Sequence, residues 1–481
     1  MSPEADGRNA TSEAGRRTLS YGNATPKGRC HDVLAHQARS RNGMSKLGVA
    51  IARPTAQARV RARVAPRLLG RLVGVVLLLS FLVVTSEVVV PSSIATTAPL
   101  LRWLALALAA IVALASSRRV RPSAAALAWL LSGMYAFGTL VYSFDVPATV
   151  LRSVAFTATV VAAFWAGRIV TMSRQVSTHR VMVAGALWCT ALAAGGVALQ
   201  FAGVGDVFYH GTPLFRALYV HPNTLGAVVP MWVPAALWWR DVSPARSWTR
   251  RLVGALLAAT ALALVESKAR SGIGATVAGV SAYYLATRNV TKLAGVIAVL
   301  VALGGLAAIV APRILGESRD ASEALIYKGS DGDLLASRRG TVETSLANFE
   351  RSPWFGYGFG TSFGATDGES EWTIRGLSGR EKGNAYAGEL EEVGGIGTVV
   401  MLVPVLLFLS SWRSLMKMKR NARQSGADLA LAAAAWAGAF AGLVHNNGEA
   451  TLWSPGTPFG ATLLLLAGIA DGLLPDRGGR A

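Results

Sequence analysis

Apolar segments about as long as a membrane-spanning helix recur along most of the chain. A helix rising 1.5 Å per residue needs about 20 residues to cross hydrocarbon about 30 Å thick. Most of the runs meet this length, and the weakest pair, 252–266 and 271–287, suits short or re-entrant helices as well. The runs lie near residues 69–90, 99–116, 123–143, 150–171, 181–203, 220–239, 252–266, 271–287, 292–311, 391–412, 428–446 and 456–474.

Composition agrees with a membrane protein. Hydrophobic residues make up 52% of the chain and charged residues only 15%, well below the share in a soluble domain. The formal net charge is +20, which in a protein with many spans indicates basic cytoplasmic loops and contact with anionic membrane lipids, so we expect no nucleic-acid partner. The two cysteines, Cys30 in a polar stretch and Cys189 in an apolar run, are not expected to meet.

The distribution of Lys and Arg predicts which side of the membrane each connection faces. Cytoplasmic connections collect basic residues, and an N-terminus placed inside puts most of the 47 Lys and Arg there. Both termini are then cytoplasmic. The prediction is an all-α integral membrane protein with about 12 transmembrane helices and one large extracytoplasmic loop.

This arrangement divides the chain into five parts. The basic stretch 1–68 lacks apolar periodicity and is predicted to be a disordered cytoplasmic tail, in which Met44 is an alternative start. Transmembrane helices 1–9 follow, then the extracytoplasmic loop, helices 10–12 and a short cytoplasmic tail. Their predicted ranges are 69–311, 312–390, 391–474 and 475–481.

Charge at the outer ends of membrane helices marks candidate functional residues, because such charge is costly unless it is paired or used. It is concentrated in three clusters. They are Arg216 to Gly226, Glu266 to Gly272, and the large loop with Arg338, Arg339, the 353–360 turn and the stretch 380–384. An extracytoplasmic site has no ATP or nucleotide sugar, and the chain carries no GxxxxGK[ST] phosphate loop. A substrate that arrives already activated, such as a lipid-linked pyrophosphate, fits this location.

Four segments, from about Arg216 to Leu474, resemble the O-antigen ligase and O-antigen polymerase family of membrane glycosyltransferases. RALYVHPNTLG is similar to the family's Arg before a Pro-Asn that opens a helix, and ESKARSGIGA to its Ser-x-x-Arg element. SRRGTVETSLANFERSPWFGYGFGTSF resembles its long-loop signature. GNAYAGELEEVGGIG resembles the helix that returns the loop to the membrane.

The resemblance implies transfer of a glycan from undecaprenyl pyrophosphate to an acceptor hydroxyl on a glycan or lipid, without metal or other cofactor. Arginines would hold the departing pyrophosphate and a base would take the hydroxyl proton. The predicted catalytic residues are Glu381, Arg270 and Arg339. The predicted substrate-binding residues are Arg216, His221, Asn223, Arg338, Gly356, Gly358, Lys382, Asn384, His445 and Glu449.

The chain departs from this pattern at one important position. Many ligases of the family carry a His directly before the Asn of the return helix, and here that residue is Gly383. The usual base therefore cannot be carried over. We favour Glu381 in its place. The other candidates on the predicted outer side are Glu389, Glu391, Glu392, His445 and Glu449.

Structural explanations compete with several of these predictions. An outer Arg often anchors in lipid headgroups, His221 and His445 are placed to cap helix ends, and Gly356 and Gly358 suit an ordinary turn. Asp331-Gly-Asp333 mimics a metal-binding DxD but suits an exposed turn. The spacing of Val342, Leu346 and Phe349 predicts an amphipathic helix, lying either on the membrane surface or against the bundle.

Two other functions stay open. A lipid-linked oligosaccharide flippase would need no catalysis, but charged residues lining a central cavity and internal repeats would be expected of it. The predicted midmembrane positions are nearly uncharged and the halves show no repeat. An assembly partner of a glycan-synthesising complex is the third possibility, and Gly383 favours it.

Overall fold

The computed structural model describes residues 56–117, 122–172, 176–209, 214–287, 289–295, 298, 336–362, 383–418, 426–454 and 457–474. The chain divides into two units, Met1–Gln57 and Ala58–Ala481, and nearly all described residues belong to the second. The helices are α1 Ala56–Val84, α2 Ser92–Ser117, α3 Ala124–Gly138, α4 Val146–Thr159, α5 Ala166–Met172, α6 Val176–Phe201, α7 Pro222–Val242, α8 Trp248–Glu266, α9 Arg270–Thr287, α10 Ala336–Arg351, α11 Ala385–Ser410, α12 Trp412–Met418, α13 Gly426–His445 and α14 Pro458–Leu473.

The described residues are helical, as the sequence predicts, and they form only two isolated β-bridges, Thr85–Tyr219 and Phe208–Phe215. Two shorter apolar helices are Leu68–Val84 and Pro458–Leu473. The run near 292–311 lies largely outside the described residues, so the number of 12 spans stays a prediction. Within the described residues, seven helical segments are long and apolar enough to cross a membrane: Ser92–Ser117, Ala124–Val141, Val146–Thr171, Thr178–Phe201, Trp248–Glu266, Ala385–Met418 and Gly426–His445.

The first helix differs from its predicted bounds at both ends. It begins at Ala56, inside the stretch that the sequence assigns to the disordered tail, and it ends at Val84 rather than near residue 90. The chain leaves the helix there because its backbone pairs with a distant loop. The Ser86 amide donates to the Leu218 carbonyl at 2.8 Å, and the Val220 amide donates to the Val84 carbonyl at 3.0 Å.

Most other helix starts follow from local sequence. Four helices begin after a Ser, Asp or Thr whose side chain accepts a hydrogen bond from the amide three residues later, which satisfies one of the free amides of the first turn. Pro follows directly after the cap of α14 and one residue later in α4, where its fixed φ fits the first turn. The four capping residues are Ser123, Asp145, Ser247 and Thr457.

The centre of the bundle is the mutual packing of α7, α9 and α13. Glycines allow these helices to approach closely. A Cβ on Gly272 of α9 would lie 2.5 Å from the Gly226 Cα of α7, and one on Gly438 of α13 would lie 2.3 Å from the Met231 carbonyl oxygen. Membrane helices lack a hydrophobic driving force between them, so close backbone contact of this kind stabilises their association.

Charged residues of the predicted cytoplasmic segments meet at one end of the bundle. Asp471 at the end of α14 pairs with Arg168 at 3.2 Å and accepts a hydrogen bond from Ser123 at 2.7 Å. Lys292 pairs with Asp241 at 2.7 Å. The predicted extracytoplasmic segments lie at the other end of the same helices, and which end faces the cytoplasm stays a prediction.

Helix α11 is interrupted at Gly394, where φ is 65° and ψ is −173°. The turn that follows α10 docks into this interruption. The Tyr357 amide donates to the Glu391 and Glu392 carbonyls at 3.2 and 3.0 Å, the Gly358 amide to Glu392 at 2.8 Å, and the Gly395 amide to the Pro353 carbonyl at 2.8 Å. Backbone groups released by the kink are thereby satisfied. The two glycine-rich sequence elements are therefore complementary halves of one contact.

Helix α10 packs against α11, and it does so through polar residues. Ser345 and Asn348 are buried at 3% and 4% exposure, whereas Leu346 is 41% exposed. The buried Glu391 carboxylate of α11 accepts from Ser345 Oγ at 2.7 Å and from Asn348 Nδ2 at 2.9 Å. Of the two placements left open by the sequence, contact with the bundle is the observed one. The residues that make this contact are polar, whereas the sequence predicts an apolar stripe.

Candidate functional site

Segments far apart in sequence converge at the end of the bundle predicted to be extracytoplasmic. They are the first turns of α7, α9, α10 and α11 together with the loop after α13. Each contains a residue that the sequence marks as functional. Glu449 of that loop joins two of them, because its carboxylate forms an ion pair with Arg338 Nη2 of α10 and accepts from Asn223 Nδ2 of α7 at 2.9 Å.

The Arg338–Glu449 pair is shielded but not sealed from solvent, with side-chain exposures of 24% and 11%. A charge-assisted hydrogen bond in such a site is stronger and more directional than one between neutral groups. Because one carboxylate oxygen serves both Arg338 and Asn223, it fixes the start of α10 relative to the start of α7.

A cavity of about 240 Å³ adjoins this pair. His221 lies at its edge and caps α7, because its Nδ1 accepts from the Asn223 amide at 3.0 Å. The His221 ring also contacts Tyr209, with ring centroids 4.5 Å apart. The structural role foreseen for His221 is thus observed, at a position that also faces the cavity. The lining residues are His221, Asn223, Thr224, Ala227, Glu449, Thr451 and Phe459.

The loop after α13 owes its shape to Asn446, which is fully buried. Its Oδ1 accepts from the Thr451 and Leu452 amides at 2.9 and 2.7 Å. The same loop binds the start of α11, because the Ala385 amide donates to the Asn446 carbonyl at 3.1 Å and Asn384 Nδ2 donates to the Asn447 carbonyl at 2.8 Å. Asn384 therefore positions the loop that carries Glu449.

His445, the last residue of α13, is only 2% exposed. Neither ring nitrogen completes a hydrogen bond of normal geometry to a described residue. A Cβ on Gly448 would lie 2.7 Å from the Ser271 Cβ, so the first turn of α9 packs directly on this loop.

No family model matches the chain, and no curated protein matches it. The resemblance of its motifs to a glycosyltransferase family therefore remains an expectation drawn from the residues themselves.

The predicted arginines occupy different surroundings. Arg216 donates through Nη2 and Nε to the Asp206 carbonyl at 3.0 and 3.3 Å, which ties its loop together. Arg270 is half-buried at the first position of α9, and Arg339 is exposed beside Arg338. Ala217, directly after Arg216, and Lys268, two residues before Arg270, carry positive φ values of 51° and 53°. Such backbone strain in non-glycine residues is concentrated at functional sites.

Of the four described glutamates proposed as alternative bases, three are not among the residues that line the cavity and one is. The Glu391 carboxylate accepts hydrogen bonds from Ser345 and Asn348, and the Glu392 carboxylate accepts one from the Gly360 amide at 2.5 Å. Glu389 is buried and faces Tyr142, where burial, a hydrogen bond with Tyr135 and the Glu389 charge all raise the pKa of the phenol. Glu449 alone of these four glutamates lines the cavity.

Other predicted residues do not reach the cavity or are not described. The Gly356 amide donates to the Ser352 carbonyl at 3.0 Å and the Gly358 amide to Glu392, so both serve the docked turn. Glu381, Lys382, Asp331 and Asp333 lie outside the described residues, as do Met44, Cys30 and the tail 475–481. Within the part of the chain that is described, no group of three or more His, Cys, Asp and Glu is arranged to hold a metal ion.

Thr224, Thr451 and Phe459 line the cavity but were missed from sequence. Thr224 follows Asn223 directly and lies within the RALYVHPNTLG motif. Two buried arginines were also missed. Arg102 of α2 and Arg152 of α4 are each 2% exposed, although both lie in predicted spans that otherwise carry little charge.

Gly383 has a structural reason to be glycine. Its φ is 68°, and a Cβ there would lie 2.5 Å from Thr341 Oγ1 and 3.2 Å from Arg338 Cδ. A histidine at this position would strain the backbone and press on the residue that pairs with Glu449. A glycine at this position thus lets α10 and α11 meet.

We expect Gly383→Ala to lower the free energy of unfolding by about 1–2 kcal/mol, the cost of a left-handed non-glycine residue. The midpoint of thermal unfolding in detergent measures this. Gly340→Ala is the matched control, because nothing lies within 4 Å of its Cβ position on the exposed face of α10; it should be neutral or stabilising. Equal midpoints for wild type and Gly383→Ala would contradict the argument.

Proposed function

We propose that the chain is a membrane glycosyltransferase that moves a glycan from an undecaprenyl-pyrophosphate carrier to an acceptor hydroxyl, as an O-antigen ligase or polysaccharide polymerase does. The observation that carries the proposal is that four separate sequence elements, which contain Asn223, Arg270, Arg338 and Asn384, all contact the loop that carries Glu449, beside a cavity that Glu449 lines. Packing alone does not require residues of these types to meet at one helix end.

The proposed chemistry assigns two tasks. Arg270 and Arg339 stabilise the departing pyrophosphate, since a guanidinium keeps its charge and binds phosphate oxygens with two parallel hydrogen bonds. A carboxylate accepts the proton of the attacking hydroxyl. Glu381, favoured from sequence, stays a prediction, and Glu449 is the second candidate because it lines the cavity.

The proposed location is a bacterial plasma membrane with both termini in the cytoplasm, as part of the synthesis of cell-surface polysaccharide. Helix α10 then faces outwards. In a variant lacking native cysteines, a cysteine at the exposed Glu350 should react in intact cells with a membrane-impermeant maleimide, and one at the exposed Arg246 should not. The reverse pattern would place the cavity on the cytoplasmic side and remove the argument for a lipid-linked donor.

A flippase is the second candidate, and Arg102 favours it. This arginine is buried ten residues into α2, and ions within membrane helices often mark transport pathways. Purified protein with a synthetic undecaprenyl-pyrophosphate oligosaccharide separates the two functions. A transferase releases undecaprenyl pyrophosphate without added metal or nucleotide. Transbilayer movement of the labelled lipid in liposomes, with no release for any glycan or acceptor, would establish transport instead.

A further inference from the structure

We infer that the cavity beside Glu449 binds a single sugar ring, and that it is not the site of the pyrophosphate. This rests on the proposed function and assigns one part of the substrate to one part of the site. A volume of about 240 Å³ is well above the roughly 30 Å³ that one water molecule takes up in the liquid, so the cavity has room for a ring of monosaccharide size.

The charge of the lining argues against a phosphate ligand. Of the described residues, those that line the cavity include no Arg or Lys, and they include the Glu449 carboxylate. An anion placed there would be repelled at short range in a partly buried site. Arg338, which contacts this lining through Glu449, is paired with that same carboxylate, which offsets its charge.

The start of α7 does not supply an anion site either, although helix N-termini often do. The first backbone amides of α7 already donate hydrogen bonds to His221. The Asn223 amide donates to His221 Nδ1 at 3.0 Å, and the Thr224 and Leu225 amides donate to the His221 carbonyl at 3.0 and 3.2 Å.

The same lining suits a neutral polyol. Four polar groups can hydrogen-bond sugar hydroxyls: the hydroxyls of Thr224 and Thr451, the side-chain amide of Asn223 and the carboxylate of Glu449. Phe459 offers a flat apolar surface to the C–H face of a ring. A concave site with one apolar wall and a few convergent polar groups is the usual form of a small-molecule site. The sugar belongs either to the accepting glycan or to the glycan on the carrier.

Three variants test the inference. Thr224→Val removes one hydroxyl at constant volume, and Phe459→Leu removes the aromatic surface. Thr462→Val is the control, because its hydroxyl donates to the Pro458 carbonyl within its own helix, away from the cavity. The measurements are the KM for the donor, the KM for the acceptor and the inhibition constant of sugar-free undecaprenyl pyrophosphate.

We expect Thr224→Val and Phe459→Leu to raise one of the two KM values about tenfold, the usual effect of one lost hydrogen bond or contact, and to leave the inhibition constant unchanged. The affected KM identifies the acceptor or the donor as the source of the ring. A raised inhibition constant, or no change in either KM, would overturn the inference while release by wild type still supported the proposed function.

A second readout needs no turnover. Saturation-transfer NMR with methyl glycosides of glucose, galactose, mannose and N-acetylglucosamine should give a signal with wild type and with Thr462→Val, and a weaker signal with Thr224→Val. Inorganic pyrophosphate should not displace the glycoside. If wild type releases no carrier and still shows this pattern, only the transferase proposal fails. Displacement by pyrophosphate would identify the cavity as an anion site and overturn the inference.

Discussion

Arg338→Ala and Glu449→Gln should each lower the rate of undecaprenyl-pyrophosphate release about 100-fold, the usual effect when groups around the reacting atoms are displaced by about 1 Å. The double variant should lose little more than either single variant. The reason is that the two side chains form one ion pair linking α10 to the cavity, and residues that act as a unit are not additive.

The initial rates of the wild type, both single variants and the double variant make up the test. Glu343→Gln is the control, because this carboxylate lies exposed on the same helix and its loss should leave the rate unchanged. A double variant whose loss equals the product of the two single losses would show that Arg338 and Glu449 act independently, and the linkage between them would be wrong.

The second large effect is expected at Glu391, and it depends on the substitution. Glu391→Leu should abolish release, since it leaves the buried groups of Ser345 and Asn348 without their acceptor at a cost of about 1–3 kcal/mol each. Helix α10 then separates from α11. Glu391→Gln should keep substantial activity, because the amide oxygen still accepts from Asn348 and the Ser345 hydroxyl can rotate to accept from the amide nitrogen.

Limited proteolysis of α10 measures the docking directly. Cleavage should be faster in Glu391→Leu than in wild type and nearly unchanged in Glu391→Gln. Complete loss of release in Glu391→Gln with α10 still protected would identify Glu391 as the proton acceptor, and its structural role would not account for the data.

Hydropathy and charge predict much of the fold. The ends of α7, α8 and α9 fall within a few residues of the predicted runs, because long apolar segments have few alternatives in a bilayer. Charge sidedness also groups Asn223, Arg338 and Glu449 at one end before their contact is known. These features depend on local sequence, which is why they can be recognised in it.

Tertiary contacts account for what sequence did not predict. The docking of the 353–358 turn into the kink at Gly394 needs two segments to fit each other, and neither reveals it alone. The polar docking face of α10 was missed because amphipathic helices are expected to bury their apolar side. Here α10 buries its polar residues Ser345 and Asn348 instead, because the buried Glu391 carboxylate of α11 accepts their hydrogen bonds.

The most direct test compares arginines at the two ends of the bundle. Release of undecaprenyl pyrophosphate is measured with purified wild type, Arg270→Ala at the start of α9 and Arg246→Ala in the connection between α7 and α8. If the glycan is transferred at the converged helix ends, Arg270→Ala loses about 100-fold in rate and Arg246→Ala matches the wild type. Full activity of Arg270→Ala would contradict the account.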